Sequence, residues 1–357
     1  MKKFFIIFTV IILSSLSIAA YFQPDVRPGK GVTGFGWLSD YHEGLKGTNL
    51  DTPVYFMDSG EEGATFLLMG GTHSNEISTM MTATMFIERA VVKKGRVIVI
   101  PYSNKSGVSV NDTRNPNIDH FLPIETKSGP RFIVYGDRRT DPEDQIYPDP
   151  EVFKHYQSDF TLEDGAEARN LNRQYPGVAD GNITQQLAYA IIQLIKEEGV
   201  NINLDMHESD PPGFTYKNSN GSTYSSGRLA YMLVCNPAET ALEIGAIAAM
   251  EVEMYDLPIK LDQSNPAFRG LSHLEIGNYT DSLSFLCESP NPGMSQQEFP
   301  DVLYDEDFPL KHRIGWNLTV ISSLIDGYNM MFGDSLEIDN LPDYFEIMDN
   351  GFEEYLN

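Results

Sequence analysis

Only two cysteines, Cys235 and Cys287, occur in 357 residues, so the chain has neither a disulfide framework nor a clustered cysteine metal site. Both close apolar runs, Met232-Leu233-Val234 and Phe285-Leu286. That placement suits small buried core residues, and a bridge between the two is the alternative an oxidising compartment permits. Basic side chains are scarce, 25 against 51 acidic ones, for a net charge of −26. Such a chain lacks the Lys and Arg density that a nucleic-acid or anionic-lipid surface requires. There is no Gly-x-Ser-x-Gly elbow, which argues against a serine hydrolase. With 41% hydrophobic and 21% charged residues, the composition is that of a globular protein rather than a disordered or multi-span membrane chain.

The N-terminus stands apart. Lys2 and Lys3 precede an apolar run from Phe4 to Ile12, followed by Ser14, Ser15, Ser17, Ala19 and Ala20. This is the pattern of a secretory signal, with cleavage expected after Ala19 or Ala20. An uncleaved anchor through residues 4 to 20 is the alternative. The protein is therefore expected to be secreted, periplasmic or in the cell envelope, touching a membrane only if this segment is retained. The expected division is residues 1–20 as signal or anchor, 21–335 as one catalytic domain, and 336–357 as an acidic tail, either docked or frayed.

Within that domain, Ala64 to Met69 reads as a strand closed by Gly70-Gly71, and helical spacing runs from Glu76 to Lys93. Arg96 to Ile100 is the next strand, so a strand, helix, strand unit opens the domain. The grammar repeats with a helix at about 184–198 and a strand from Ile202 to Asp205. Further strands are expected at Leu229–Val234, Pro258–Leu261 and Leu283–Leu286, with helices at Ala241–Met254 and about 309–331. Between them, about 105–165 reads as a long irregular loop insertion punctuated by Asn115-Pro116, Gly129-Pro130 and Pro148-Asp149-Pro150. Loops of that length are unusual unless they serve a site. The sum is a single three-layer α/β/α domain with a mixed, mostly parallel sheet.

Four segments carry residues suited to chemistry. In Gly70-Gly71-Thr72-His73-Ser74-Asn75-Glu76, a His and a Glu three residues apart sit where a strand hands over to a helix, and His nitrogen with Glu oxygen is a good zinc pair. Alone, the same residues also read as a capped helix start with ordinary polar groups. His207 stands at the end of a second core strand, and the ends of parallel strands are where open α/β sheets place their sites. His, Glu and His with one open position is the coordination of a catalytic zinc. Asp205, two residues back on the same face, suits an orienting carboxylate. In Arg169-Asn170-Leu171-Asn172-Arg173, Arg173 and Asn172 offer a fork and an amide for a substrate carboxylate. Glu288 follows a buried strand directly, where a general base beside an activated water belongs.

Together these segments, spanning about 50 to 295, resemble the zinc carboxypeptidase superfamily and, within it, the succinylglutamate desuccinylase/aspartoacylase-like branch. That group carries a Gly-Gly-x-His-x-Asn-Glu turn, an Asn- or Asp-Leu-Asn-Arg stretch followed by an aromatic and Pro-Gly, an Asp-x-His strand end and a late Glu, in the order found here. The resemblance implies one Zn²⁺ per chain held by His73, Glu76 and His207, Glu288 as general base, and Asn172 with Arg173 on a substrate carboxylate. It also implies an arginine for the oxyanion, for which Arg169, Arg138 and Arg139 are the candidates, and a mobile tyrosine, for which Tyr279 and Tyr216 are. The expected activity is hydrolysis of an amide in an N-acyl amino acid. Release of a C-terminal residue from a peptide, or a non-catalytic binding role on the same scaffold, are the alternatives. Ser74 and Asn170 depart from the group's more usual Gly and Asp, and neither departure removes a ligand.

Overall fold

The computed structural model describes residues 23–217, 222–295 and 297–357; the expected signal segment lies outside the described residues. An eight-stranded sheet forms the middle layer. Its strands are β1 (Gly34–Trp37), β2 (Pro53–Asp58), β3 (Thr65–Met69), β4 (Arg96–Ile100), β5 (Ile202–Ser209), β6 (Met232–Cys235), β7 (Lys260–Gln263) and β8 (Leu283–Pro290). The spatial order is β1-β2-β4-β3-β5-β8-β6-β7. The inner pairs β4/β3, β3/β5 and β5/β8 and the outer pair β6/β7 run parallel, while β1/β2, β2/β4 and β8/β6 run antiparallel. The sheet is thus mixed and mostly parallel, as the alternating pattern predicts.

Period-2 alternation along the strands separates two cores. Phe66, Leu68, Leu204, Met206, Phe285 and Cys287 face one side, where α1 (Ile77–Arg89), α3 (Glu239–Met254) and α5 (Leu310–Phe332) cover them. Leu67, Met69, Ile98 and Ile100 face the other, beneath α2 (Ile183–Glu197) and α4 (Ser272–Tyr279). α2 starts at a capping box in which the Asn182 side chain accepts from the Gln185 amide and Gln185 answers to the Asn182 amide. Cys235 and Cys287 are both buried and free.

Three expectations change. The helix predicted to Lys93 stops at Arg89, because the β-branched pair Val91-Val92 opens a strand, Val91–Lys94, that finds a partner in the tail strand Glu337–Asp339. The stretch at 105–165 is not a structureless insertion: it contains an antiparallel hairpin, Phe121–Thr126 with Gly129–Val134, in which the Gly129-Pro130 turn signal starts the second strand. The sequence reading also passes over β1 and β2, whose glycines and Pro53 weaken the strand signal. The tail is docked. After its strand, Ile347 of α6 (Tyr344–Asn350) and then Phe352 and Leu356 enter the main core, and the Asn357 amide donates to Glu88 Oε2 at 2.6 Å.

Candidate metal and active site

The turn after β3 is built by two glycines. Gly71 sits at φ +65°, a left-handed conformation, and a Cβ at Gly70 would lie 2.4 Å from the Thr79 carbonyl oxygen. This close approach brings His73 and Glu76 to the C-terminal edge of the sheet, where β5 delivers His207. All three are buried. Glu76 Oε1 lies 2.7 Å from His73 Nδ1 and Oε2 lies 3.0 Å from His207 Nδ1, while the two Nδ1 atoms are 3.2 Å apart. Among the described residues, these three form the one group of His, Cys, Asp or Glu side chains placed to hold a metal ion.

Each imidazole turns its other nitrogen away to a fixed partner. His207 Nε2 lies 2.9 Å from Asp205 Oδ2, and Asp205 also accepts from the Thr72 hydroxyl at 2.8 Å and the Ser272 hydroxyl at 2.5 Å. His73 Nε2 lies 3.0 Å from Asn170 Oδ1, and the Asn170 amide donates to Glu167 Oε2 at 2.7 Å. Asn170 thus fills by its oxygen the orienting position where the resembled group more often has a carboxylate. Partners of this kind select the ring tautomer and aim the free lone pair at a metal. The donor set, two imidazoles and a carboxylate with oriented rings, fits Zn²⁺.

The electrostatics follow from burial among opposed charges. Burial pulls His73 down to about 4, with the positive charge of Arg138 acting the same way. Burial also disfavours a charged His207, but Asp205 and Glu76 outweigh it and raise its affinity for a proton. Burial alone would raise Glu76, yet the two imidazoles hold it well below the usual carboxylate range.

Glu288 stands opposite His207 in the β5/β8 register, one strand spacing of about 4.8 Å away on the same face. Its side chain is half-buried, and the packed neighbours desolvate the carboxyl enough to hold it above the usual range, helped by Glu76 and opposed by His207 and Arg138. Its Oε2 has no hydrogen-bond partner among the described residues. A half-buried carboxylate with a free oxygen and a raised pKa, beside a candidate metal centre, has the properties of a general base.

A cavity of about 1020 Å³ opens over this edge. Its floor continues across the sheet from Glu288 through Leu286 to Met232 and Val234, which share a face by register. Of the residues singled out in the sequence, His73, Glu76, His207, Glu288, Asn172, Arg173, Arg138 and Tyr216 line it. Arg173 is stacked over Phe268, 5.3 Å from the ring centroid, with Nε 3.3 Å from Glu167 Oε2. Burial and the nearby charge of Arg138 lower its pKa to about 10, so it stays cationic at neutral pH. Asn172 is held by accepting from the Ser272 amide at 2.8 Å.

Arg139, Arg169 and Tyr279 are not among the residues lining the cavity. Arg139 is paired with Asp164 and Glu167, Arg169 with Asp149 at 2.8 Å, and the Tyr279 hydroxyl donates to Gln157 at 2.9 Å. Each pairing spends the side chain on loop structure. His273 lies in the first turn of α4 and lines the cavity, where burial and the charge of His207 pull it down to about 3. The sequence reading missed Thr72, Ser272 and Glu167, which hold the ligand-orienting groups. It also missed Arg114, Arg228 and Tyr224 on the cavity walls. Glu167 carried a usable signal, an acid two residues before an Arg-Asn pair, held at about 2 where Arg138 and Arg173 overcome its burial.

Neither a protein-family model nor a curated protein matches the chain. Solved structures that are similar to it include the Gln46His variant of the cell shape determinant protein Csd4 from Helicobacter pylori, at TM-score 0.49 and 14% identity. That match covers 81% of this chain and 56% of Csd4, which another structure describes as a D,L-carboxypeptidase in its mDAP-bound form. A succinylglutamate desuccinylase/aspartoacylase from Rhodobacter sphaeroides overlaps at TM-score 0.42 and 17% identity, over 77% of this chain and 59% of its own. The ectoine utilization protein EutE (DoeB) from Ruegeria pomeroyi does so at 0.42 and 14%, over 78% and 60%. This chain therefore spans little more than half the length of these proteins. Likeness at this level is weak, and the functional conclusion rests on the chain's own site.

Proposed function

We propose that the protein is an exported zinc-dependent hydrolase that cleaves an amide bond in a substrate bearing a carboxylate. The observation that carries this is the convergence of His73, Glu76 and His207, with both rings oriented from behind, on one side of Glu288 and its unpartnered oxygen. Bound there, Zn²⁺ would supply Lewis-acid polarisation of the scissile carbonyl and acidify a water. Glu288 takes a proton from the attacking water and passes it to the leaving amine. One carboxyl serves both halves of that transfer, since a base that has taken the water's proton is the acid that protonates the amine. Arg173 and Asn172 hold the substrate carboxylate, and Arg138 faces the charge that develops on the carbonyl oxygen.

The cavity's volume favours a peptide end over a lone acylated amino acid. At about 1020 Å³ it reaches the upper end of small-molecule sites, and a single acyl amino acid would leave most of it to water. Release of a C-terminal residue from a peptide is therefore the reading placed first, with N-acyl amino acid deacylation second. The test is zinc content and a panel of short peptides and N-acyl amino acids, comparing the protein with Glu288→Gln. The expected outcome is about one zinc per chain in both forms, and turnover lost by roughly two to four orders of magnitude in the variant. Zinc-free protein that stays inert under metal-replete conditions would refute the catalytic reading and leave a binding role.

A further inference from the structure

Directly after His207, β5 carries a second buried carboxylate on the opposite face. Glu208 pairs with Arg313 of α5, Nη1 to Oε1 at 2.6 Å, and both side chains are fully buried. Its other oxygen accepts from the Ser78 amide in the first turn of α1 at 3.2 Å and from the Asn291 amide group at 3.0 Å. Asn291 in turn donates to the Asn75 carbonyl at 3.1 Å, and its own backbone amide bonds to the Ser209 carbonyl at 2.8 Å. The Glu208 backbone amide donates to Glu76 Oε2 at 3.1 Å. One residue therefore touches the helix that follows Glu76, lies on the strand that carries His207, and reaches the segment that follows Glu288 and the covering helix α5.

A buried ion pair adds little net stability compared with apolar side chains of the same shape, so stability alone does not account for it. What this pair does supply is a fixed geometry. The three candidate ligands arrive on two chain segments more than a hundred residues apart, and no covalent link sets their separation. The network ties those segments at the point where they meet.

The geometry points to Glu208, clamped by Arg313, as a positioning residue that sets the spacing of Glu76 against His207 and so the affinity of the site for zinc. The inference rests on the zinc reading above. It is tested with Glu208→Gln, with the neutral pair Glu208→Gln/Arg313→Gln, and with Asn291→Ala, which leaves both charges in place and cuts the side-chain links from Asn291 to Glu208, the Asn75 carbonyl and the Gly293 amide. Zinc dissociation constants come from competition with a chromogenic chelator, alongside kcat, KM and melting temperature. In folded variants the zinc dissociation constant is expected to rise roughly tenfold to a hundredfold, with kcat reduced and KM little changed. Lowered melting temperature with zinc affinity and kcat at the unmodified level overturns the inference and leaves a structural pair. If the charge variants do not fold, Asn291→Ala carries the same two outcomes. If the unmodified protein itself binds no zinc, the failure lies with the zinc reading, and this inference falls with it.

Discussion

Replacing Asp205 with Asn isolates the contribution of ring orientation to the site. The carboxylate is fully buried and accepts from Ser272 and Thr72 while facing His207 Nε2 at 2.9 Å. Burial by itself would raise its pKa, but His207 and the two hydroxyls hold it down, so the folded protein carries it ionised. Asn keeps the shape and one acceptor oxygen, and the hydroxyl facing its amide group can rotate to accept. What is lost is the charge in the bond to His207, which makes a charge-assisted hydrogen bond into a neutral one of roughly half the strength. A loss of about 1.4 kcal/mol corresponds to tenfold in zinc affinity, the lower end of what outer-shell partners provide. Asp205→Ala removes the acceptor altogether and leaves two hydroxyls and a ring N–H unpaired in the interior, at about 1–3 kcal/mol each. Chelator competition should therefore give a roughly tenfold weaker site for Asn with little change in stability, and chemical denaturation should give a loss of several kcal/mol for Ala. Zinc affinity unchanged within twofold in both variants would refute the orienting role.

Arg138→Ala should lower kcat roughly a hundredfold or more if it faces the oxyanion, whereas Arg169→Ala, whose charge is spent on Asp149, should leave steady-state kinetics unchanged. Arg173→Lys keeps the charge but loses the planar fork and the stacking on Phe268, so KM should rise roughly tenfold in assays on carboxylate substrates. His312 is buried between the Tyr231 and Tyr344 hydroxyls, and burial, with Arg313 beside it, pulls its pKa from 6.5 to about 4. The unfolded chain therefore binds that proton below pH 6.5 and the folded chain only below about 4. Its stability contribution is complete above pH 6.5 and lost progressively down to pH 4, by up to about 3 kcal/mol. Urea denaturation across that window checks this, since His312→Gln should remove that part of the slope.

The inner strands and their helices were legible because each is long enough to show its pattern. Strict alternation is not needed to see them: Phe66, Leu67 and Leu68 form a continuous apolar run that marks a strand buried on both faces. The outer strands were not legible. Gly34-Phe35-Gly36-Trp37 has too few β-formers, and it becomes a strand through its antiparallel pairing with Val54 to Phe56. The same limit applies to the site. His73, Glu76, His207 and Glu288 could be found because each sits at a strand end or a glycine turn that the sequence announces. Thr72 and Ser272 could not, since a buried hydroxyl shows no period of its own, and its role is fixed only by the partner that folding brings to it.

The position of the cavity follows from unequal cover over one face of the sheet. α2 lies over β3 and β4, where Leu67, Met69, Ile98 and Ile100 are sealed, and α4 packs beside it on β8 and the neighbouring β5. Toward the C-terminal end of β8 the same face carries Leu286, Met232 and Val234, and loops with the first turn of α4, at His273, rise around them. The candidate metal ligands and Glu288 stand at the boundary between sealed and open sheet, so the groups that need oriented partners are backed by packed protein while the side toward the cavity stays accessible. An antiparallel strand at this place also matters. Because β6 runs against β8, Met232 lies beside Glu288 and Val234 beside Leu286, which extends the apolar floor away from the base rather than past the ligands. A substrate gripped at Arg173 would therefore lie with its scissile bond at the boundary and its remaining length over that floor. This arrangement gives the cavity's volume a direction, as the proposed release of a residue from a peptide end requires.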